Sequence, residues 1–573
     1  MKLFVRLFTP LAFCGLLVSC TPAPEADFDV IIRGGTIYDG LGGAPFQADI
    51  AINGDRIAAI GDLSNKLGGL HVDARNRAVA PGFINMLSWA TESLIEDGRA
   101  MSDIKQGVTL EVMGEGWSMG PLTDPMKEEM TDRQGDIKYS IEWTSLGEYL
   151  DYLVAKGISP NVASYVGAAT LRIHQLGYEN RQPTENELAA MQELARTAMR
   201  EGALGIGSSL IYAPGNFADT NELIALVSAA AEYHGAYISH VRSEGNRLEE
   251  GVQELIKIAS ITGAPAEIYH LKASGKSNWH KLQAVFRLVE SAREAGIEIS
   301  ADMYTYTAGA TGLDAAMPLW VQEGGHDAWI AALRKPEIRA RVIEEMRAPA
   351  SDWENLFYET GADKMILLGF KNHDLKPLAG KTLAEVAEMR GTTPADTAID
   401  LVIEDDSRVA TAYTMMSEGN VKRKIARDWI SFGSDAGAPA TSGVFLESNV
   451  HPRAYGTFAR VLGKYSRDEH LISIADAIRR MTSLPAYNTN IQNRGQLTEG
   501  YFADIVVFDP ATISDHATFE EPHQYSTGVE HVFVNGVQVL KYGEHTGATP
   551  GRVVRGPGWT GWPENQPDDS GFE

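Results

Sequence analysis

Short apolar runs of strand-like length recur along the chain, and between most of them lie longer segments whose apolar residues return every three or four positions. The short runs occupy 80–87, 109–113, 162–166, 204–207, 236–240, 266–270, 298–302 and 429–434, and the longer segments include 185–200, 220–233, 248–261 and 279–295. The first pattern is that of buried strands and the second that of amphipathic helices. Eight such alternations predict an α/β protein built on a (β/α)8, TIM-like barrel, a fold in which the C-terminal ends of the strands share one rim. The gap between the seventh and eighth runs is much longer than the others. Residues 313–428 are therefore expected to insert over the barrel mouth, with helices at 335–347 and 383–389.

Both ends of the chain carry a different pattern. Alternating β-branched stretches at 29–39, 48–52, 56–60 and 70–73 are joined by Gly, Asn and Asp turns, and similar stretches return at 503–508 and 531–540. Asn-Gly pairs at 53–54 and 535–536 mark hairpin turns. A small β-sandwich assembled from 28–79 and 495–556 is expected to flank a barrel domain over 80–494. Ahead of it, Lys2 and Arg6 precede an apolar stretch at 7–18 that is too short to span a bilayer, which predicts a signal peptide over 1–20. Its end, Leu17-Val18-Ser19-Cys20, resembles the lipobox of bacterial lipoproteins, whose cysteine becomes the lipidated first residue of the mature chain. The alternative is an ordinary secretory signal that contains Cys20. On the lipoprotein reading, 21–27 is a tether and the protein sits on the periplasmic side of a bacterial membrane, touching it only through the lipid anchor. The Pro, Gly and Asp-rich segment 557–573 reads as a surface tail.

Composition narrows the function. The 573 residues are 44% hydrophobic and 22% charged, an ordinary globular balance, and carry a net charge of −26. A chain this acidic, with no basic stripe, cannot neutralise a phosphate backbone, so nucleic acid is excluded as a partner. Both cysteines, Cys14 and Cys20, fall in the export segment, which leaves none in the body for a disulfide or a thiolate metal site.

Chemistry-bearing residues stand at the predicted strand ends. Glu115 lies between Gly114 and Gly116 after the second run, His240 ends the fifth, His270 ends the sixth, and Asp435 follows the eighth. Each has a plainer explanation: a rim histidine held by hydrogen bonds, a solvated loop carboxylate, or, for Asp435 in Gly-Ser-Asp-Ala-Gly, a turn or helix cap. Their joint occurrence at one rim favours a metal. Glu with two His is a three-ligand set that leaves a position open for water, the arrangement of catalytic zinc. A nearby carboxylate such as Asp435 could take the proton of that water, which makes hydrolysis the natural reaction. His71, His174, His234, His326 and His470 fall in helical or loop contexts and read as structural or exposed.

Several ordered motifs identify a family. They include Ile-Ile-Arg-Gly-Gly-Thr-Ile-Tyr-Asp-Gly (31–40), Ala-Pro-Gly-Phe-Ile-Asn (80–85), Ser-His-Val-Arg-Ser-Glu-Gly (239–245), His-Leu-Lys-Ala-Ser-Gly (270–275), Gly-Ser-Asp (433–435) and His-Pro-Arg-Ala-Tyr-Gly-Thr-Phe (451–458). Through them the chain resembles the amidohydrolase superfamily and, within it, the D-aminoacylase (N-acyl-D-amino-acid deacylase) branch, over 28–556. The resemblance implies a barrel with a β-sandwich and a metal held by the fifth- and sixth-strand histidines together with a cysteine after the second strand. Glu115 occupies that cysteine's position. Where the superfamily carries a His-x-His pair after its first strand, this chain has Leu87 and Trp89, and Asn85 replaces the preceding Asp. The outer metal position is therefore expected to be missing, leaving one zinc on Glu115, His240 and His270. The resemblance further assigns substrate contacts to Lys272, Tyr212, Tyr304 and Arg453, and Ala310 stands where the branch has a serine. The expected activity is that of an exported zinc amidohydrolase acting on N-acyl-D-amino acids or related small peptides containing D-residues. Two alternatives stand beside it: a catalytically impaired barrel lipoprotein that serves as a binding module, and a cyclic-amide or dipeptide hydrolase of the same superfamily.

Overall fold

Residues 83–85, 108–113 and 161–164 form one parallel sheet, as strands Phe83–Asn85, Val108–Met113 and Asn161–Ser164. A second parallel sheet orders Val166–Gly167, Gly205–Ser209, Ala236–His240, Ala266–Ile268 and Ile299–Ala301. The third strand continues from one sheet into the other across Tyr165. The ring is closed by the segment 430–436, which bridges Ala301 through Ile430 and Ser88 through Ala436. These are the eight strand positions of a barrel. The computed structural model describes residues 26–350 and 352–561. The expected signal peptide with Cys14 and Cys20, the tether up to residue 25 and the tail beyond 561 lie outside the described residues.

The strands are buried along their whole length, as Ala236–His240 illustrates. A parallel strand covered by helices on one face and packed into the barrel interior on the other has no face for water, so its sequence is mostly apolar rather than alternating. The helices show the complementary logic. In Glu185–Arg200, Thr184 accepts from the Glu187 amide and Glu187 reaches back to cap the Thr184 backbone, while Met191, Ala195, Ala198 and Met199 form the buried stripe.

At the chain ends, Phe28–Ile37 pairs antiparallel with Phe46–Asn53 on one side. On its other side it pairs first with Gly68–Asp73 and then with Ala78–Pro81. Ala78–Pro81 in turn pairs with Ile505–Phe508, which joins the C-terminal strands to the N-terminal ones. Ile32, Ile52, Val79, Ile505, Val507 and Phe533 share one apolar cluster, so neither end of the chain can bury its strands without the other.

The insertion is a unit with its own core. Strands Ala308–Gly312, Met365–Gly369 and Ala410–Thr414 make an antiparallel sheet, and Leu313, Leu333, Val342, Leu367, Ile399 and Tyr413 pack with its helices. Its sheet begins before the expected start at 313. The helix Glu418–Ile425, which the sequence pattern places inside the insertion, instead packs Val421 and Ile425 into the barrel cluster. Among the described residues no helix is long and apolar enough to cross a membrane.

Candidate active site

Glu115 owes its position to the glycines beside it. Gly114 and Gly116 have φ of +105° and +69°, and a Cβ on Gly114 would lie 2.2 Å from the Tyr165 carbonyl oxygen. No side chain fits there, and the resulting turn aims Glu115 into the barrel mouth. His240 is the last residue of its strand. His270 and Asp435 adopt left-handed backbone with φ of 34° and 51°, a strained conformation for non-glycine residues. Each is held in place: the His270 amide donates to Asp302 Oδ1 at 2.9 Å, and the Asp435 amide donates to the Leu87 carbonyl at 2.8 Å.

These ties bring distant residues together. Glu115 Oε1 lies 3.1 Å from His240 Nδ1 and 2.9 Å from His270 Nε2. One ligand atom from each of Glu115, His240 and His270 falls within 4.8 Å of the others, and all three residues are buried. Asp435 Oδ2 pairs with Arg453 Nη1 at 2.7 Å, and the guanidinium stacks 4.5 Å from the Tyr304 ring centre. Tyr212 meets the His240 ring edge-on at 5.4 Å. Lys272, expected to reach substrate, also lines the cavity, but its Nζ sits 2.5 Å from Glu244 Oε1 and 2.7 Å from His270 Nδ1. All eight residues singled out from the body of the chain therefore face one cavity of about 290 Å³. Cys20 lies outside the described residues.

The electrostatics follow from burial and proximity. Burial alone would raise the Glu115 carboxyl, but His270 and His240 hold it well below the ordinary carboxylate range. Burial and Lys272 push His270 down, and Glu115, Glu244 and Asp435 more than offset them, raising it to about 10. Burial lowers His240, with Glu244 opposing. Burial raises Asp435 above its usual 3.8, against Arg453 and His270. A buried set of one carboxylate oxygen and two imidazole nitrogens suits a borderline divalent cation such as zinc. The residues present therefore fit the metal that the resemblance implies.

The positions of the missing His-x-His pair have other uses. Leu87 is fully buried in an apolar cluster of the barrel interior. Trp89, 38% exposed, donates its indole N–H to Glu115 Oε2 at 3.0 Å. Asn85 donates to Asp103, Glu111 and Ser434 and accepts from the Ser434 amide beneath Asp435.

Sequence reasoning missed three site residues. Glu244 stands in the Ser-His-Val-Arg-Ser-Glu-Gly stretch, and its spacing of four from His240 was the available signal. Glu354 and Arg408 reach the cavity from the insertion, and nothing local in the sequence marks them.

Comparison with known proteins agrees with this geometry. The amidohydrolase family signature matches residues 71–540, and the chain belongs to that family of hydrolases. Within the family its relatives are deacylases. It is 34% identical to D-aminoacylase from Alcaligenes xylosoxydans xylosoxydans over 92% of this chain and 97% of the relative. It is 32% identical to N-acyl-D-glutamate deacylase of the same organism over 93% of this chain and 97% of the relative. Among solved structures, the N-acyl-D-glutamate deacylase of Bordetella bronchiseptica, complexed with zinc and a phosphonate mimic of the tetrahedral intermediate, superposes with a TM-score of 0.76. That pair is 30% identical, covering 92% of this chain and 99% of the other. The chain is thus a homologue of the D-aminoacylases, hydrolases of carbon–nitrogen bonds other than peptide bonds.

Proposed function

We propose that the protein is an exported, zinc-dependent amidohydrolase that cleaves the amide of N-acyl-D-amino acids or related small D-residue-containing peptides. The observation that carries this reading is the convergence of Glu115, His240 and His270 on one buried point in the cavity that also holds Asp435. Glu115 Oε1, His240 Nδ1 and His270 Nε2 would hold the ion, about one per chain, because Leu87 and Trp89 offer no imidazole for a second. Zinc held there supplies Lewis acidity toward the amide carbonyl and acidifies water.

The remaining chemistry belongs to the chain's own side chains. Asp435 accepts the proton of the attacking water and returns it to the leaving amine. The Tyr304 hydroxyl is buried without a hydrogen-bond partner, so it can donate to oxygen as negative charge develops. Arg453, whose Nε has no acceptor, binds the substrate carboxylate, and Tyr212 and Tyr304 wall the same space. Lys272 adds positive potential from behind Glu244.

The cavity favours a neutral side chain on the substrate. Arg408 pairs through Nε with Asp314 Oδ2 at 2.8 Å, Lys272 is held by Glu244 at 2.5 Å, and Ala310, Leu356 and Met415 supply an apolar wall. Lys272 is thereby withheld from a second substrate carboxylate, and the apolar wall suits an uncharged side chain. Export rests on the sequence of residues 1–20, and lipidation at Cys20 is tested by incorporation of labelled fatty acid in a bacterial host, expected to vanish on Cys20→Ala.

Metal analysis with a substrate panel tests the activity. About one zinc per chain, lost on His240→Ala, with turnover of acyl-D-amino acids bearing apolar side chains, is the expected result. Absence of bound metal would refute it. The replacement of the His-x-His pair favours one rival, a barrel that binds without turning over. Intact zinc with no hydrolysis of acyl-D or acyl-L amino acids, hydantoin-like rings or dipeptides would establish that rival.

A further inference from the structure

We propose that Glu244 is the positioning residue for both metal-holding histidines, one carboxylate that sets the tautomer of the two imidazoles together. The inference rests on reading Glu115, His240 and His270 as a metal site. The two rings stand at 84° with centres 4.5 Å apart, and each has one nitrogen on either side of the pair. On one side, His240 Nδ1 and His270 Nε2 face Glu115 Oε1 at 3.1 and 2.9 Å. On the other, His240 Nε2 lies 3.3 Å from Glu244 Oε2 and His270 Nδ1 lies 3.1 Å from Glu244 Oε1. The histidines are thus held between two carboxylates, each touching both.

A neutral imidazole that gives one nitrogen to a metal carries its proton on the other, and the partner of that second nitrogen decides how much of the population is competent to bind. For His240 the outer nitrogen is buried and makes no hydrogen bond in this arrangement, and Glu244 Oε2, 3.3 Å away, is the carboxylate oxygen it faces. For His270 there is a competitor. Lys272 Nζ stands 2.7 Å from the same Nδ1, and an ammonium can only donate. If Nδ1 accepts from Lys272, the proton moves to Nε2, the nitrogen that faces Glu115, and that nitrogen can no longer bind metal. Glu244 reverses the preference. It takes the ammonium at 2.5 Å on Oε1 and gives the His270 Nδ1 proton an acceptor, leaving Nε2 with its lone pair free.

The carboxylate is itself fixed. Glu354, on the insertion, accepts from the Glu244 amide, from the Gly245 amide at 2.6 Å and from Ser243 Oγ at 2.9 Å. The Ser274 amide donates to the Glu244 carbonyl at 2.7 Å, tying the loop after the fifth strand to the loop after the sixth. The insertion therefore bears on the metal site through the backbone of this one residue.

Zinc affinity of purified protein, measured by competition with a chromogenic chelator, tests the proposal without reference to turnover. Glu244→Gln keeps the shape and removes the charge, and it is expected to bind zinc roughly 10- to 100-fold more weakly; because it also breaks the buried pair with Lys272, affinity is read on protein shown by circular dichroism to be folded at the assay temperature. Adding Lys272→Met to that variant removes the competing donor and is expected to recover part of the lost affinity, which a merely structural role for Glu244 does not explain. A Glu244→Gln protein that holds zinc as tightly as the unsubstituted one overturns the inference. Should that variant fail to fold, Glu244→Asp retracts the carboxylate by one methylene from His240 Nε2. The same assay then expects a fall of a few-fold, and no change overturns the proposal. If the unsubstituted protein binds no zinc, the metal reading fails and this inference fails with it; if it binds zinc but is indifferent to residue 244, only this inference fails.

Discussion

Replacing Asp435 by Asn removes one proton-carrying group from the cavity while leaving every metal-holding side chain in place. The Asn amide keeps the backbone bond from residue 435 to the Leu87 carbonyl, at 2.8 Å, and so keeps the left-handed turn that aims the side chain. What is lost is the charge 2.7 Å from Arg453 Nη1 and the ability to accept a proton. A positioned general acid–base contributes about 10²- to 10⁴-fold, so kcat should fall by that factor, equivalent to about 2.7–5.4 kcal/mol of barrel-mouth catalysis. The same change leaves Arg453 buried without its counter-ion, and breaking a buried pair costs up to about 3–5 kcal/mol, so thermal unfolding has to be followed alongside turnover. The assay is release of free D-amino acid from an N-acetyl-D-amino acid with an apolar side chain, read by coupled oxidation, on protein whose zinc content has been measured. The pH dependence adds a second, independent readout. The working form of Asp435 is the carboxylate, which exists above its pKa; burial raises that pKa above 3.8, against Arg453 and His270. In the unsubstituted enzyme kcat/KM should therefore fall as pH drops through a value higher than that of an ordinary aspartate, and in the Asn variant this limb should be absent. Retention of turnover within tenfold by a folded, zinc-loaded Asn variant would refute the role given to Asp435.

Restoring the family's missing pair with Leu87→His and Trp89→His should raise zinc content from about one to about two per chain, measured by elemental analysis after dialysis; unchanged stoichiometry would show that residues 87 and 89 do not set metal number. Burial raises Glu267 from 4.5 to about 7, so the folded chain binds a proton there that the unfolded chain has released between those values. Its contribution to stability falls as pH rises through that window, and Glu267→Gln should gain on the unsubstituted protein between pH 5 and pH 8 by a few kcal/mol at most, read as the difference in denaturation midpoints. Arg172 Nη1 pairs with Glu222 Oε2 at 2.5 Å, both nearly inaccessible, and its Nη2 also serves the carbonyls of Glu179 and Arg181. Arg172→Met should cost roughly 3–5 kcal/mol in urea unfolding, because it strands a buried carboxylate; a loss under 1 kcal/mol would mean that water reaches Glu222.

The parts of this molecule that were legible in the sequence are those where one physical demand dominates. Barrel strands are buried on both faces and are largely apolar, so 236–240 stands out as a run, and its last residue falls at the rim, which places His240. Glu115 was legible because it follows the second strand run directly, at the same rim as His240. The insertion was harder to delimit. The stripe of Glu418–Ile425 has the same period whether it packs on the insertion or on the barrel, and only its contacts through Val421 and Ile425 decide. Arg408 and Glu354 reach the cavity because a separately folded unit leans over the rim, a fact of tertiary docking with no local signature. Lys272 shows a subtler limit: its place in the cavity was legible, but its pairing with Glu244 depends on a carboxylate supplied by a different loop.

The departures from the family pattern make sense only together. A thiolate offers one ligand atom, whereas a carboxylate offers two oxygens pointing in different directions. Glu115 uses both, Oε1 toward His240 and His270 and Oε2 toward the Trp89 indole at 3.0 Å. An indole N–H is a neutral donor that binds no metal, and Trp89 finds its acceptor in the second oxygen of Glu115. Conversely, a buried carboxylate with one unsatisfied oxygen would be costly, and a histidine at 89 would draw that oxygen toward a second metal. The indole satisfies the oxygen without adding charge. The residues at 87, 89 and 115 therefore work as one unit: the carboxylate between the two histidines has its second oxygen taken up by an indole, and neither 87 nor 89 offers an imidazole.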